Sequence, residues 1–188
     1  ETFNLPLLYD PGTRFSYNSL QSLLLSAIIT KTSGMTASQF AEQYLTGPMG
    51  IEIFRWGSDP QGNTIGGYDL YMTPREMAVL GYLYLNGGVI DGRQIISKEW
   101  IDLSWQKTNL NDGSWGVLTE YNYGFHWWIG KMQGIDLFIA WGMGGQFIFC
   151  VPKHDMIVVV ASNPDISWDN DQEYPVLELV SDYILTAI

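Results

Sequence analysis

The sequence contains little cysteine, few basic residues and no long apolar run. Its single cysteine, Cys150, excludes an internal disulfide and any zinc site of the Cys-x-x-Cys type. The chain has only 9 Lys and Arg but 20 Asp and Glu. The resulting net charge of −11 disfavours nucleic acid and anionic membrane surfaces as partners. The longest apolar candidate, 20–29, contains polar residues and falls short of the ~20 residues of a membrane span.

The composition indicates a folded domain. Hydrophobic residues make up 46% of the 188 residues and aromatic residues 14%, enough to form the core of about one domain. Because Cys150 lies in an apolar run, we interpret it as a buried small hydrophobic residue. The first residue is Glu1, without an initiator Met or a signal peptide, so we expect the chain to be processed or cut from something longer.

Helical patterns dominate the first two thirds of the chain. Apolar residues at helical spacing predict a helix over 19–33, with one stripe formed by Leu20, Leu23, Leu24, Ala27 and Ile28. Capping-box patterns at Thr36 and Thr73 predict helices to about 45 and about 86. Ser97 caps a further helix to about 107, and the Gly-rich segment 50–72 is interpreted as one long loop.

Short aromatic and β-branched runs replace this pattern in the last third. They predict an antiparallel meander with strands at 123–129, 135–140, 146–151 and 156–161. A last helix over 171–188 has an apolar face formed by Leu177, Val180, Ile184 and Ala187. Helices followed by strands indicate a two-layer α+β fold, with a mainly helical region over 1–118 and the strands plus the last helix over 119–188.

Three stretches together carry a resemblance to a known family. They read PGTRFSYNS at 11–19, LYMTPREMA at 70–78 and AWGMGGQ at 140–146. Their order and spacing resemble those of the serine β-lactamase-like hydrolases, which include class C β-lactamases, DD-peptidases, related esterases and 6-aminohexanoate-dimer hydrolases. The resemblance implies a β-lactamase/transpeptidase-like fold, an antiparallel sheet flanked by helices, and we expect the N-terminal part of that fold to be missing from this chain.

The first stretch supplies the candidate catalytic residue. In the family, a Ser-x-x-Lys provides the nucleophile and a Tyr-x-Asn or Tyr-x-Ser provides a phenol that exchanges protons with that Lys. A hydroxyl needs such a base because it is a weak nucleophile at its own pKa. Tyr17 matches the Tyr, followed by Asn18 and Ser19. The commoner order is Tyr-Ser-Asn, so it stays open whether Ser19 or Asn18 would hold a substrate amide.

The third stretch supplies the candidate substrate-binding strand. It matches the family's Lys-Thr-Gly segment in position but lacks the Lys, as in the esterase and amidase branches, which puts recognition of a β-lactam carboxylate in doubt. The resemblance implies a cleft lined by Ala140, Trp141, Gly142, Met143 and Gly144, with a backbone N–H that helps to hold an oxyanion. Further candidates for an apolar wall are Tyr68 and Tyr71. No metal or organic cofactor is implied, and family members are often periplasmic or extracellular.

The nucleophile segment is expected to lie outside this chain. Sixteen residues precede Tyr17, and none of them forms Ser-x-x-Lys. The one such match, 104–107, and the adjoining Lys107-Thr108-Asn109 follow Tyr17 and lie at the end of a predicted helix. We interpret both as chance matches, because a nucleophile gains from the positive N-terminal end of a helix.

Other catalytic chemistry has little support in the sequence. His126 is predicted inside a strand and His154 in a turn, and no Gly-x-Ser-x-Gly accompanies them. An acidic loop without EF-hand spacing contains Asp165, Asp169, Asn170 and Asp171.

These patterns favour a serine hydrolase that acts on an ester or amide through an acyl-enzyme. The alternative is a non-catalytic binding module, or a structural piece of a two-chain assembly. The expected partners are a small-molecule or peptide substrate and a complementary N-terminal segment. Without that segment we expect an apolar edge at 156–161, a last helix without its packing partner, and an inactive chain.

Overall fold

The N-terminal part of the fold is helical. The computed structural model describes residues 6–108, 113–165 and 172–188. Helix α1 (Ser19–Ser33) begins after Asn18, whose Oδ1 accepts a hydrogen bond from the backbone N–H of Leu20. It ends at Gly34, which takes the left-handed conformation with φ 74°. The apolar spacing in the sequence predicted these bounds.

Helix α2 (Ala37–Ala41) begins at the predicted capping box. Thr36 accepts a hydrogen bond from the backbone N–H of Gln39, whose side chain accepts one from the Thr36 N–H in return. The chain continues as a π-helical turn (Glu42–Thr46) and a 3-10 turn (Gly47–Met49).

The segment after these turns is more ordered than its composition suggests. It was predicted as one loop over 50–72, but it contains strands β1 (Arg55–Trp56) and β2 (Leu70–Tyr71), which pair antiparallel. The indole N–H of Trp56 donates to the carbonyl of Ile65 at 2.7 Å and closes this hairpin on itself. Strands of 2 residues are too short to show a period in sequence.

Two further helices follow. Helix α3 (Pro74–Leu85) begins at the predicted capping box of Thr73, and a short hairpin of β3 (Val89–Ile90) and β4 (Arg93–Gln94) follows it. Helix α4 (Lys98–Ser104) ends earlier than the predicted 107. The chain leaves the helix after Ser104, and the backbone N–H of Thr108 donates to the carbonyl of Tyr123 at 3.3 Å.

A 6-stranded antiparallel sheet forms the second layer. Its strands are β5 (Gly113–Trp115), β6 (Leu118–Tyr123), β7 (Trp128–Met132), β8 (Ile135–Gly142), β9 (Gln146–Val151) and β10 (Met156–Val160). They lie in the order β10-β9-β8-β7-β6-β5. The predicted meander is confirmed for its last three strands.

The predicted strand at 123–129 is wrong, and so is the placement of His126 within a strand. β6 ends at Tyr123 and β7 begins at Trp128, and between them His126 takes a left-handed conformation with φ 62°. The N–H of Gly124 donates to the carbonyl of Trp127 at 2.8 Å and closes the turn. The aromatic run that resembled one strand is therefore two strand ends and a reversal.

Helices cover both faces of the sheet. Helix α5 (Glu173–Leu179) and the turns after it bury Leu177, Val180 and Leu185 against one face. The last helix thus has a packing partner, contrary to expectation, because the sheet supplies it within this chain. Leu185 rather than the predicted Ala187 completes its buried face.

Helix α3 packs against the other face, and Gly81 sets how closely it approaches. A Cβ built on Gly81 would lie 2.9 Å from Ile148 Cγ2 and 3.0 Å from Ile157 Cγ2. A side chain at this position would push the helix away from β9 and β10, so the glycine is needed for close packing. Cys150 is fully buried in the same layer, as predicted.

One strand edge and one helix face lack a partner within the described residues. β10 pairs with β9 alone and so forms one edge of the sheet, as expected. On α1, Leu20 is 48% exposed and Ile28 is 53% exposed, although both belong to the predicted apolar stripe.

None of the helices in the described ranges combines the length and hydropathy of a membrane span.

Candidate active site

Tyr17 lies at the entrance to α1, one residue before the helix cap. Its side chain is 55% exposed. The ring stacks on Trp128 with centroids 5.4 Å apart and planes at 28°, and it meets the edge of Tyr123 at 5.9 Å. Tyr123 and Trp128 are paired across β6 and β7, so the sheet supplies a fixed surface for the phenol.

The two residues after Tyr17 differ in their surroundings. Asn18 uses its side-chain oxygen to cap α1, accepting the Leu20 N–H at 2.8 Å. Ser19 is half-buried, and a Cβ built on Gly67 would lie 3.0 Å from its Cβ, so the glycine-rich segment passes close to it. The cap commits the Asn18 oxygen but leaves its amide nitrogen as a donor, and Asn18 lines the cavity beside Tyr17. Whether Asn18 or Ser19 would hold a substrate amide thus stays open.

An aromatic cluster extends from Tyr17 across the sheet. Trp128 lies at its centre, stacked on Tyr121 at 4.8 Å and 6.0 Å from Trp141. Trp141 in turn stacks on Trp115 at 4.3 Å. Tyr17 and Trp141, which the sequence placed in two separate motifs, therefore contact the same ring.

Two other phenols in this cluster, those of Tyr121 and Tyr123, stay protonated at neutral pH. Burial raises the pKa of Tyr121 and of Tyr123 well above the usual value for a phenol, and the nearby Tyr17 phenol adds to both shifts. Each would have to lose its proton in a poorly hydrated position, which is unfavourable.

The C-terminal end of β8 extends beyond its pairing with β7 but stays paired with β9. The last pair between β7 and β8 is Trp128 with Ile139, whereas pairing with β9 continues to Gly142. From Ala140 to Gly142 the strand is thus not paired with β7, as a strand that receives a substrate requires. Ala140 faces the α3 layer and Trp141 the α5 layer. Met143, just beyond, is 64% exposed.

The turn after β8 is held by side chains that no motif in the sequence indicated. Gly144 and Gly145 take left-handed conformations, with φ 77° and 84°. The carboxylate of Glu173 accepts hydrogen bonds from the Trp141 indole N–H and from the Gly144 backbone N–H, each at 2.9 Å. Nothing in the spacing of Glu173 distinguishes it from the acidic residues before it.

A mainly apolar cavity of about 440 Å³ adjoins Tyr17. It lies between the start of α1, helix α4 and the turn between β6 and β7, and is lined by Phe15, Ser16, Tyr17, Asn18, Gln21, Ser22, Leu25, Trp100, Tyr123, Gly124, Phe125 and His126. The predicted wall residues Tyr68, Tyr71, Trp141 and Met143 do not line it. Tyr71 lies on β2, under the guanidinium of Arg55.

Ser104 is buried at the last residue of α4, the helix end at which it was predicted. Its hydroxyl donates to the carbonyl of Ile101 at 2.9 Å, and Lys107 donates to Glu120 at 3.3 Å. Both groups of this Ser-x-x-Lys match are thus engaged in local structural contacts. Asn109, of the adjoining run, lies outside the described residues.

Of the two histidines, only His126 lies near Tyr17. His126 lines the cavity, and burial lowers its pKa, which favours the neutral imidazole. His154 lies in a 3-10 turn (Pro152–His154), as predicted. Within the described ranges there is no group of three or more His, Cys, Asp or Glu that could hold a metal ion. The predicted acidic residues 169–171 lie outside those ranges.

Comparison with known proteins identifies the family. The model of the β-lactamase family matches residues 2–180. The chain belongs to the β-lactamase family. Among curated members, the 6-aminohexanoate-dimer hydrolase of Paenarthrobacter ureafaciens is 24% identical over 168 residues, which cover 83% of this chain and 41% of that protein. An uncharacterised protein of Alkalihalophilus pseudofirmus is 26% identical over 184 residues, covering 82% of this chain and 54% of that protein.

Solved structures of the β-lactamase family support the same fold. A Bacillus anthracis protein provisionally assigned as a 6-aminohexanoate-dimer hydrolase is 27% identical with a TM-score of 0.69, covering 85% of this chain and 41% of that one. A β-lactamase from Mycobacterium bovis is 21% identical with a TM-score of 0.70, covering 92% and 65%. The chain therefore has part of a β-lactamase/transpeptidase-like fold, and it spans about half the length, or less, of the curated relatives it matches.

Proposed function

We propose that a longer protein containing this chain is a serine hydrolase that cleaves an ester or amide through an acyl-enzyme. The observation that carries the proposal is the exposed phenol of Tyr17, fixed on Trp128 next to the end of β8 where that strand leaves β7. The nucleophilic Ser-x-x-Lys is supplied from outside residues 1–188.

Tyr17 is the proton-transfer group in this proposal. The serine oxygen attacks the carbonyl carbon while its proton moves toward the Lys and Tyr17 pair, and the leaving alcohol or amine takes a proton from the same pair. Water then attacks the acyl-enzyme by the reverse path and releases the acid. The raised pKa values of Tyr121 and Tyr123 argue against either of them in this role.

The backbone at the end of β8 is the candidate oxyanion donor. The Gly144 N–H already donates to Glu173, so it is committed to a structural contact. The Met143 N–H donates to no partner within the described residues, and the side chain there is exposed. We assign the Met143 N–H to the oxyanion, with Ala140, Trp141, Gly142 and Gly144 along the substrate.

A substrate that places an apolar segment beside Tyr17 fits these surroundings best. The wall beside Tyr17 consists of aromatic rings, and Ala140 stands where a carboxylate-binding Lys would be. The relatives named 6-aminohexanoate-dimer hydrolase support an amide as the cleaved bond.

The complementary N-terminal segment is part of the proposal. The exposed apolar side of α1 and the unpaired backbone edge of β10 are the surfaces on which such a segment would pack. We expect residues 1–188 alone to be catalytically inactive.

Ester hydrolysis by the longer protein tests the assignment. With a short-chain p-nitrophenyl ester, Tyr17→Phe lowers kcat by about 10²–10⁴, the usual contribution of a positioned acid or base. Tyr183→Phe is the matched control, because Tyr183 is exposed on the last turns of the chain. A Tyr17→Phe variant as active as the control contradicts the role of this phenol.

A further inference from the structure

The turn that follows β8 depends on a partner distant in sequence. Glu173, the first residue of α5, accepts the Trp141 indole N–H with Oε2 and the Gly144 N–H with Oε1, both at 2.9 Å. Hydrogen bonds to a carboxylate are stronger than those between neutral groups. One side chain thus fixes two residues that flank the exposed Met143.

The same turn is also held at its carbonyl. Gln172 donates through Nε2 to the Gly144 carbonyl at 3.2 Å, and Gln146 donates to it at 3.3 Å. Gln146 also donates to the Ser162 carbonyl at 2.8 Å and accepts the Ser162 N–H at 3.2 Å. The backbone N–H and the carbonyl of Gly144 therefore both have partners. Ser162, just after β10, in turn holds the side chain of Gln146.

This turn needs such support for two reasons. Two consecutive glycines in left-handed conformations have little intrinsic stiffness. The strand before them lacks β7 as a neighbour from Ala140 onward. The direction of the Met143 N–H is therefore set by the contacts of Trp141 and Gly144, and chiefly by the carboxylate that joins them.

We propose that Glu173 is a positioning residue of the active site, one that orients the Met143 backbone N–H just beyond β8 toward the reacting carbonyl. This role rests on the proposed function. Glu173 touches no reacting atom; it acts through Trp141 and Gly144. Misplacing a catalytic group by about 1 Å costs about 10²-fold in rate, so loss of this contact has a kinetic effect beyond its effect on stability.

Kinetics of Glu173 variants of the longer protein test this role. Glu173→Ala lowers kcat on a p-nitrophenyl ester by about 10- to 100-fold and leaves KM within about twofold, because the lost contact orients the transition state rather than binding substrate. Glu173→Gln recovers part of this loss, since its amide oxygen can still accept one of the two hydrogen bonds. Glu178→Ala, an exposed carboxylate on the same helix, is the control and keeps wild-type kcat.

A second readout tests the contact itself. In a nitrogen–proton NMR spectrum, the Trp141 indole N–H signal shifts and loses protection from hydrogen exchange in Glu173→Ala but not in Glu178→Ala. If this signal is unmoved, or if kcat of Glu173→Ala equals that of the control, the positioning role is overturned while the proposed function stands. An inactive wild-type protein overturns the proposed function, and the positioning role falls with it.

Discussion

The ring of Tyr17 lies over the ring of Trp128, with centroids 5.4 Å apart and planes at 28°. Trp128 belongs to the sheet and also lies 6.0 Å from Trp141, so one indole connects the helix entrance to the strand that carries the third motif. The proposed proton exchange requires a phenol that holds one position. Among the described residues, the Tyr17 ring is held by this aromatic surface of the sheet.

Replacing Trp128 is expected to reduce activity through Tyr17. Trp128→Leu removes the stacking surface and lowers kcat of the longer protein by about 10- to 100-fold. Trp128→Phe keeps an aromatic ring there and recovers part of the rate. Steady-state kinetics of both variants on the same ester check this. A Leu variant with wild-type kcat would show that Tyr17 is held by other contacts.

Ser104→Ala is expected to change stability and leave activity unaltered. The buried hydroxyl loses its hydrogen bond to the Ile101 carbonyl, which costs about 1 kcal/mol of the free energy of unfolding. Ester hydrolysis stays within about twofold of wild type, because the change lies outside the proposed site. Urea denaturation and kinetics measure the two effects. A drop in kcat of more than about tenfold would contradict our interpretation of the Ser104 motif as a chance match.

Cys150 is expected to resist alkylation while the protein is folded. Burial raises the pKa of its thiol from 9.0 to about 12, so at pH 8 the thiolate fraction is about 10³-fold lower than for an exposed thiol. The raised pKa also makes the free energy of unfolding depend on pH. The contribution of the protonated Cys150 thiol is fully present below about pH 9 and is lost as the pH rises toward 12, because the unfolded chain releases this proton first. Iodoacetamide labelling of Cys150 with and without denaturant checks the resistance to alkylation. Equal labelling rates in the folded and the unfolded protein would contradict the burial of the thiol.

Residues 1–188 alone are expected to self-associate. The apolar edge at β10 and the exposed Leu20 and Ile28 of α1 are available for contact between copies at micromolar concentration. Light scattering should show oligomers, which become smaller in the Leu20→Gln, Ile28→Gln double variant and disappear when the complementary segment is present. A monodisperse monomer of the chain alone would contradict this part of the account.

Local signals predicted the helices and part of the sheet. Capping boxes at Thr36 and Thr73 marked helix starts that the structure confirms, because the contacts that form them lie within three residues. The run 135–140 and the two strands after it were predictable from their aromatic and β-branched composition and from the turns between them. The run 123–129 failed because Gly124 and His126 reverse the chain inside an aromatic segment whose composition is typical of a strand.

The site was predictable only as separate motifs. The sequence named Tyr17 and Trp141, but their common contact with Trp128 depends on the register of β6, β7 and β8. Glu173 could not be found from the sequence, since its partners lie 29 and 32 residues earlier in the chain. Contacts of this kind arise from tertiary packing and leave no local pattern.

Covalent labelling of the longer protein with a fluorophosphonate locates its nucleophilic serine. The reagent forms a phosphorus–oxygen bond with an activated serine and releases fluoride, and peptide mass analysis then locates the modified residue. We expect one modified serine, in a Ser-x-x-Lys outside residues 1–188, and much weaker labelling in Tyr17→Phe. Labelling of Ser104, or of any other serine within 1–188, would contradict it.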